Sequence, residues 1–504
     1  MRVPATAVAG IALVSACAST TATHKPSSGA EISVPELQRY ISVLASDSMR
    51  GRNTPSLELD RAAAFVAVQL RGAGLRPAGE SYLRPYMLRS TVYDTAHARV
   101  SIEGGPTWTW RKDMLPRGAA TPAAGVSGTA VLIAGPPPYE SLLRGRDLRG
   151  KVAFLLLPQT RTSFGPDWVA LTNLLKGDQR PAALVLVTEK SDTLWNTIAG
   201  RLTVPSRKLA SDSTSGIPTF EVSAQMALPV LRQHGISPAE SWGATAARLL
   251  DLPQLRLTGA SPRRVLGTEQ APNVVAVLEG SDPVLRNEYV VLSAHLDHVG
   301  VSADAASGDS IFNGADDNAS GCAALLAVAR RLAAASTRPA RSIVFLFTTG
   351  EETGMWGSQS FVDAPPFPVS QIVANINADM IGRNAPDSLS ALGMEYSTLG
   401  EVVRRVVSEQ PELGLTVTGD LWPGQNFFHR SDQIWFARRG VPALQLFTGP
   451  HPEYHQPTDE VERIDFEKLV RVSNLIRHLA TSIANAPARP TWDPAARESF
   501  ATAR

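Results

Sequence analysis

Short apolar runs alternate with amphipathic stretches through the C-terminal half of the chain. The apolar runs are rich in β-branched and aliphatic residues, which is typical of strands buried inside a parallel sheet. They are NVVAVLEG, EYVVLSA, SIVFLFTT, QIVANINAD and ALQLF. Three further stretches, SGCAALLAVARRLAA, TLGEVVRRVVSEQ and FEKLVRVSNLIRHLATSIA, have the apolar spacing of helices. The alternation predicts an α/β fold, with a mostly parallel sheet sandwiched by helices.

The pattern changes between about Ser90 and Leu266. Helical spacing fades there, and short apolar runs such as GKVAFLLLP and IPTFEVS are separated by Pro and Gly. This predicts a small β-rich unit with few helices. The stretch contains no cluster of His and acidic residues. We therefore interpret it as an insertion into the main domain and not as a site in its own right. Before it, apolar spacing predicts helices from Val34 and from Glu58 to Gly72.

The N-terminus has the pattern of an export signal. Met1-Arg2 is positively charged, the stretch to Ala16 is apolar, and Val14-Ser15-Ala16-Cys17 resembles a lipoprotein cleavage site. Lipidation at Cys17 would anchor the protein to a membrane, and Ala18 favours the outer membrane, facing the periplasm or the cell surface. The alternative is an ordinary signal peptide with an incidental cysteine. Cys322 is the only other cysteine, so we expect no internal disulfide and a buried, inert thiol.

Together these patterns predict six segments. They are a signal peptide (1–17), a flexible tether (18–32), the first part of the main domain (33–110), the β-rich insertion (111–265), the rest of the main domain (266–485) and a loosely held tail (486–504).

Composition excludes some classes of partner. Lys and Arg number 48 against 47 Asp and Glu, with no basic run, so nothing indicates a nucleic-acid surface. After the N-terminus no apolar run reaches the roughly 20 residues that a membrane span needs. We infer no obligate protein partner.

Five potential metal ligands follow predicted strands or lie in the loops between elements. They are His295 in SAHLDHVG, Asp316 in GADDNASG, Glu352 in TTGEETG, Asp379 in NINADMIG and His455 in PEYHQPTDE. Two His and three carboxylates can hold two zinc-like ions that share one carboxylate. The adjacent Glu351 supplies a general base.

The predicted strands would bring these residues together, because crevices in open α/β sheets lie at the carboxyl ends of the strands. A single His or Asp after a strand is usually a structural hydrogen-bonding group. Five such residues, all at corresponding positions relative to the predicted strands, indicate a site. Asp297 is placed to accept the second ring N–H of His295 and to orient it. His298 has the opposite strand phase, so we interpret it as a supporting residue.

Two alternatives apply within these motifs. Asp316 could cap the following helix, although Asp317, Asn318 or Ser320 could also do so. Glu351 and Glu352 could be a solvated acidic pair. A nearby dication would offset their repulsion, which favours a base beside a ligand.

The motifs HLDH, GADDNASG, TTGEETG, NADM and YHQPTDE resemble the co-catalytic zinc aminopeptidase family, metallopeptidase family twenty-eight. RSDQIWFARRGVPAL resembles the family's segment before its last ligand. VSGTAVLIAG and DLRGKVAFLLLP are similar to the protease-associated (PA) domain that many exported members carry. The resemblance covers nearly all of the chain after the signal peptide, and it implies the family's zinc aminopeptidase fold, with residues 266–485 as catalytic domain.

The resemblance also implies residue roles. His295 and Asp379 would bind one zinc, Glu352 and His455 the other, and Asp316 would bridge both; Co²⁺ or Mn²⁺ also suit these ligands. Glu351 would accept a proton from a water that bridges the ions, in hydrolysis of the N-terminal residue from peptides with a free N-terminus. Relatives place a Tyr near the RSD segment as an oxyanion donor. Here His429 stands in its place, as a donor or as a surface His.

Two other functions occur on the same fold. One is a glutaminyl-cyclase-like acyltransferase with one zinc, and the other is a receptor-like surface protein without catalysis. The complete set of five ligands in this sequence counts against both.

Overall fold

A computed structural model describes residues 31–136, 139–156, 175, 180–212, 216–237, 241, 244–302 and 308–501. The predicted signal peptide, its lipidation site Cys17 and nearly all of the tether lie outside the described residues. Within these described ranges, no helix combines the length and the hydropathy that crossing a membrane requires.

Helices form where apolar residues recur at helical spacing, and strands where β-branched and aliphatic residues run together. The helices are α1 (Val34–Leu44), α2 (Leu57–Gly72), α3 (Glu140–Leu143), α4 (Asp192–Leu202), α5 (Ala224–Gln233), α6 (Gly321–Ala333), α7 (Trp356–Asp363), α8 (Leu399–Glu409), α9 (Gln433–Arg438), α10 (Phe466–Asn485) and α11 (Pro494–Ala501). The first ten strands are β1 (Arg76–Pro77), β2 (Leu83–Tyr93), β3 (Arg99–Ile102), β4 (Thr107–Thr109), β5 (Met114–Gly118), β6 (Val126–Ala134), β7 (Lys151–Leu156), β8 (Ala183–Thr188), β9 (Ser206–Leu209) and β10 (Pro218–Ser223). The others are β11 (Arg248–Ala260), β12 (Arg263–Leu278), β13 (Tyr289–His295), β14 (Gly300–Val301), β15 (Ile311–Phe312), β16 (Ser342–Thr348), β17 (Ile372–Ala378), β18 (Ser388–Leu392), β19 (Thr416–Thr418) and β20 (Ala443–Phe447).

The main sheet confirms the α/β prediction. Its strand order is β19-β18-β20-β17-β13-β16-β12-β2-β9, and β1 pairs with β12. Parallel pairing joins β16, β13, β17 and β20 at the centre and β18 with β19 at one edge. Antiparallel pairing joins β12 to β16, β2 and β1. It also joins β2 to β9 and β18 to β20. The sheet is therefore mixed rather than mostly parallel, because β12 and β2 form a long hairpin-like pair.

Helices cover both faces of the main sheet. Side chains alternate along a strand, so Val274 and Ala276 of β12 face one layer and Val275 and Val277 face the other. Helices α1, α2, α6, α8 and α10 pack in the first layer. Helices α7, α9 and α11 contribute to the second. This packing is the predicted sandwich, and it leaves the ends of the strands available for a site.

A second sheet is formed by the middle of the chain. Its order is β4-β3-β11-β6-β7-β8-β10-β5. The predicted start of the insertion at residue 111 is too late, because β3 pairs antiparallel with β11 and therefore belongs to this sheet. The chain leaves the main sheet at Tyr93 and returns at Arg263, and these two residues are direct partners in the β2–β12 ladder. Only β9 from this stretch joins the main sheet among the described strands.

Within the predicted tail, residues Pro494–Ala501 form helix α11, contrary to the expectation of a loosely held segment. Phe500 is buried, and its ring centroid lies 5.3 Å from that of Tyr396 and 5.4 Å from that of Phe428. An aromatic anchor near the end of a Pro- and Ala-rich segment is enough to hold it against the domain.

Candidate metal centre

The centre of the main sheet delivers polar residues to one edge. Strand β13 ends with His295, whose parallel partner in β16 is Thr348, the last residue of that strand. Ser293 of β13 lies opposite Asn377 of β17. His295 ends β13 and Asp379 directly follows β17, each two residues beyond this pair, so the two side chains emerge at the same level. These polar side chains therefore meet at the carboxyl ends of the strands, as predicted.

One group of potential ligands joins His295, Asp317 and Asp379. The Nε2 atom of His295 lies 3.1 Å from Oδ1 of Asp317 and 3.3 Å from Oδ1 of Asp379. The other carboxylate oxygen of Asp379 accepts hydrogen bonds from Ser431 Oγ at 2.7 Å and from Gln445 Nε2 at 3.3 Å. Because these donors hold one oxygen of Asp379, its other oxygen stays directed at His295.

A second group joins His298, Asp317, Glu352 and His455, with ligand atoms within 4.8 Å of one another. The Nε2 atom of His455 lies 3.1 Å from Oδ2 of Asp317 and 2.9 Å from Oε2 of Glu352. The other oxygen of Glu352 lies 2.6 Å from His298 Nδ1. Each oxygen of the Asp317 carboxylate thus faces a different group, which is the geometry of a shared ligand.

The expectation that Asp316 is the shared carboxylate is wrong. The Oδ1 atom of Asp316 accepts the backbone N–H of Gly382 at 2.7 Å, and its Oδ2 lies 3.3 Å from Nε2 of His451. The side chains of Asp316 and Asp317 diverge in the turn, and only Asp317 enters the space between His295 and His455. No periodicity distinguishes neighbouring residues in a turn, so the sequence alone did not separate them.

Asp459 holds this turn in place. Its carboxylate accepts the N–H of Asp316 at 3.0 and 3.1 Å and that of Asp317 at 3.0 Å, while its backbone oxygen accepts the N–H of Ala315 at 3.0 Å. Burial and the Asp316 charge raise the pKa of Asp459 to about 6. Asp459 was not predicted as a site residue, although it lies four positions after His455 in the motif YHQPTDE. Asp459 ties the loop of His455 to the turn of Asp317.

His298 lies closer to the centre than its strand phase predicted. Strand β13 ends at His295, so alternation no longer applies three residues later. The His298 ring is buried against Gly314, whose φ is 60° and where a Cβ would lie 2.6 Å from the ring. Only glycine leaves room for this ring beside Glu352.

The residues fit a bound cation. Although burial acts in the opposite direction, the Asp317 and Glu352 carboxylates raise the pKa of His455 to about 10. His455 Nε2 makes no hydrogen bond of proper geometry with a described residue, despite its short distances to both carboxylates. Imidazole nitrogens that converge with carboxylates suit Zn²⁺. Because metal competes with protons for these ligands, acid weakens metal binding.

Glu351 lines the same cleft as the ligands. Desolvation raises the pKa of its carboxyl group well above the usual range, and the nearby Asp379 and Glu352 charges act in the same direction. Its backbone N–H donates to Oδ1 of Asp297 at 3.2 Å. Asp297 was expected to accept from His295 through its carboxylate, but His295 Nδ1 lies 3.1 Å from the Asp297 backbone oxygen and 3.9 Å from the carboxylate. Asp297 therefore orients His295 through its main chain and Glu351 through its side chain.

The cleft opens to solvent. Besides the polar residues, it is lined by Phe427, Phe447, Tyr454 and Met380. These aromatic and apolar walls suit an apolar side chain of a ligand.

His429 does not line this cleft, contrary to its predicted role as oxyanion donor. Its ring stacks on Phe500 of α11 with centroids 5.4 Å apart. Burial lowers the pKa of His429, and the Arg438 charge adds to that effect. The turn Phe427–His429 directs Phe427 into the cleft and His429 toward the C-terminal helix. His429 was predicted to face the cleft because the packing of helix α11 against it was not expected.

Tyr454, which was not predicted as a site residue, brings a phenol group to the cleft. Its ring stacks on His455 with centroids 3.9 Å apart, and it lines the cleft. Burial raises the pKa of Tyr454, and the Asp317 and Glu352 charges raise it further, so the phenol keeps its proton. The residue was visible in the sequence as the neighbour of the last His.

Cys322 is buried as expected, with Sγ 3.1 Å from the backbone oxygen of His295. Burial raises the pKa of this thiol to about 12. It supports the strand end and has no nucleophilic character.

Known proteins resemble parts of this chain. A "Probable zinc metalloprotease" of Pyrenophora teres f. teres is 27% identical over 252 residues, which are 45% of this chain and 52% of that protein. A "Probable glutamate carboxypeptidase VP8" of Zea mays is 26% identical over 483 residues, which are 85% of this chain and 64% of that protein. The chain therefore spans less than two thirds of the length of either relative.

Among solved structures, an aminopeptidase from Aneurinibacillus sp. strain AM-1 superposes with a TM-score of 0.48 at 18% identity, covering 92% of this chain and 96% of that one. A family model matches the part of the chain that contains every residue of the centre: residues 273–480 match Peptidase family M28.

Proposed function

We propose that the protein is a zinc-dependent exopeptidase that hydrolyses N-terminal residues from peptides, with two metal positions per chain. One observation carries the proposal: the two carboxylate oxygens of Asp317 face two separate His-containing groups, 3.1 Å from His295 and 3.1 Å from His455. A carboxylate in this position suits a pair of ions. The match to a peptidase family supports the reaction class.

Zinc ions held by His295, Asp379, Asp317, Glu352 and His455 would polarise the scissile carbonyl and lower the pKa of water. The protein's own groups then handle the protons. Glu351 accepts the proton of the attacking water and returns it to the leaving amine. Burial and the Asp379 and Glu352 charges raise the pKa of Glu351, which suits a group that holds a proton between the two transfers. The surrounding carboxylates attract a positively charged substrate N-terminus.

Tyr454 is the oxyanion donor in this proposal. It lines the cleft beside the ligand His455 and keeps its proton. A neutral phenol that donates a hydrogen bond to the developing oxyanion stabilises the transition state more than the ground state.

Tyr454→Phe is expected to lower kcat by about 100-fold, because one oxyanion donor is lost while the ring remains. The measurement is steady-state hydrolysis with metal content determined in parallel. Tyr289→Phe is the matched control, because Tyr289 stacks on Phe367 away from the cleft. A kcat for Tyr454→Phe within threefold of wild type would remove Tyr454 from the mechanism.

The reaction itself is tested by mass spectrometry of a mixed peptide pool. The chain from Ser19 onward is incubated with free, N-acetylated and N-terminal-Gln peptides, with and without a chelator. We expect loss of single N-terminal residues from unblocked peptides only, and its abolition by chelator. Cleavage from the other end indicates a carboxypeptidase, and loss of ammonia from N-terminal Gln indicates a cyclase. No change in any peptide contradicts the proposal.

Two further proposals rest on sequence alone. The N-terminal pattern supports export and a lipid anchor at Cys17, with the protein at the outer membrane. The segments VSGTAVLIAG and DLRGKVAFLLLP support a PA-like identity for the unit that carries the second sheet.

A further inference from the structure

Arg430 is a positively charged residue on the wall of the cleft. It directly follows the turn Phe427–His429 and precedes Ser431. Its guanidinium lies over the Phe427 ring, 4.9 Å from the centroid, and both residues line the cleft with the metal ligands. A stacked guanidinium keeps its N–H donors along the edge of its plane, where a carboxylate can accept two of them.

Arg430 differs from neighbouring arginines in having no acidic partner among the described residues. In the part of the chain that the structure describes, no Asp or Glu forms an ion pair with it, whereas Arg383 pairs with Glu453 at 2.8 Å and Arg439 pairs with Asp363. Four carboxylates line the same cleft, and three of them, Asp317, Glu352 and Asp379, belong to the ligand groups. Arg430 is also exposed. A cation in a ligand cleft that forms no ion pair with the described residues is available to bind an anionic group of the ligand.

The position of Arg430 limits where that anion sits. The next residue, Ser431, donates to Asp379 at 2.7 Å, so the Arg430 backbone lies close to the metal ligands. An arginine side chain is no longer than a few residues of extended peptide, which advances about 3.3–3.6 Å per residue. The anion therefore belongs to the first two or three residues of a substrate whose N-terminus lies at the ligands.

We propose that Arg430 binds a carboxylate of the substrate, so that the enzyme prefers very short or acidic peptides. The proposal rests on the exopeptidase function above and deepens it by naming a substrate class. The carboxylate has two possible sources, the free C-terminus of a di- or tripeptide and the side chain of Asp or Glu at the first or second position. Both present the same planar pair of oxygens to the guanidinium.

The test uses three pairs of peptides that differ by one negative charge. They are Leu-Leu and Leu-Leu amide, Glu-Leu amide and Gln-Leu amide, and Leu-Glu amide and Leu-Gln amide. Hydrolysis is measured with the zinc-loaded wild type, Arg430→Gln and Arg430→Lys. Arg404→Gln is the matched control, because Arg404 is an exposed arginine on helix α8 outside the cleft. Binding is measured by calorimetry for each peptide, in the Glu351→Gln background so that no peptide is consumed.

We expect wild type to prefer the charged member of at least one pair, and Arg430→Gln to raise its KM and Kd about tenfold with kcat nearly unchanged. The uncharged member should respond less than twofold. Arg430→Lys should fall between the two, because lysine lacks the planar pair of donors. The pair that responds identifies the source of the carboxylate.

Two results overturn the proposal: no pair shows a preference in wild type, or Arg430→Gln affects charged and uncharged members equally. The second result assigns Arg430 a structural role. If wild type hydrolyses no peptide but calorimetry shows the Arg430-dependent preference, the exopeptidase function fails and the carboxylate site stands. If hydrolysis occurs without the preference, the function stands and the carboxylate site fails.

Discussion

Glu351→Gln is expected to keep the wild-type metal content and to lower kcat by roughly 1,000-fold, since a general base contributes about 10²- to 10⁴-fold. Glutamine has the shape of the carboxyl group but accepts no proton. Glu351 lines the cleft and belongs to neither ligand group, so its replacement leaves the metal ligands intact. The measurements are steady-state hydrolysis and elemental analysis of the same preparation.

Glu352→Gln is the matched partner, one residue away. Glu352 lies 2.9 Å from His455 Nε2 and within the second ligand group, so its replacement should lower metal content as well as activity. The two neighbours should therefore separate into a base and a ligand. Activity of Glu351→Gln within tenfold of wild type, or loss of metal from that variant, would refute the assignment of Glu351 as base.

Asp317→Asn is expected to weaken metal binding by more than about 100-fold, beyond the usual effect of altering a residue that merely supports a ligand. Asp317 belongs to both ligand groups, so one substitution removes a ligand from each. The check is a zinc titration followed by elemental analysis, together with the rise in Tm on adding zinc. That rise should be nearly absent in this variant, because ligand-linked stabilisation depends on affinity.

Asp316→Asn provides the contrast. Asp316 is hydrogen-bonded to Gly382 N–H and contacts His451, so we expect the variant to retain metal and to lose about 1–3 kcal/mol of stability from impaired buried partners. Full metal binding by Asp317→Asn, or loss of metal from Asp316→Asn, would return the bridging role to Asp316.

Residues that directly follow buried strands were predictable from sequence. His295 and Asp379 follow apolar runs whose length and composition indicate strands, and parallel pairing then fixes that they emerge together. Glu351 and Glu352 follow β16 for the same reason. The apolar pattern of a strand shows where the strand ends, and parallel pairing places the ends of neighbouring strands at one edge of the sheet. The positions of these residues in the site therefore follow from the sequence.

Residues in turns and loops were not predictable in the same way. Asp316 and Asp317 are both polar and adjacent, and the hydrogen bonds from their backbone to Asp459, more than 140 residues away in sequence, decide which side chain enters the centre. Likewise, His429 is turned from the cleft by Phe500 at the far end of the chain. These choices depend on long-range contacts that no local pattern records.

The pairing of Tyr93 with Arg263 has an evolutionary consequence. The whole segment between them leaves and re-enters the main sheet at adjacent positions, and Asp94 N–H donates to the Pro262 oxygen at 2.9 Å just beyond the pair. A short turn could join β2 directly to β12 without rerouting any other strand. An ancestral gene could therefore gain or lose this segment in one event, and the main sheet would change only by edge strand β9.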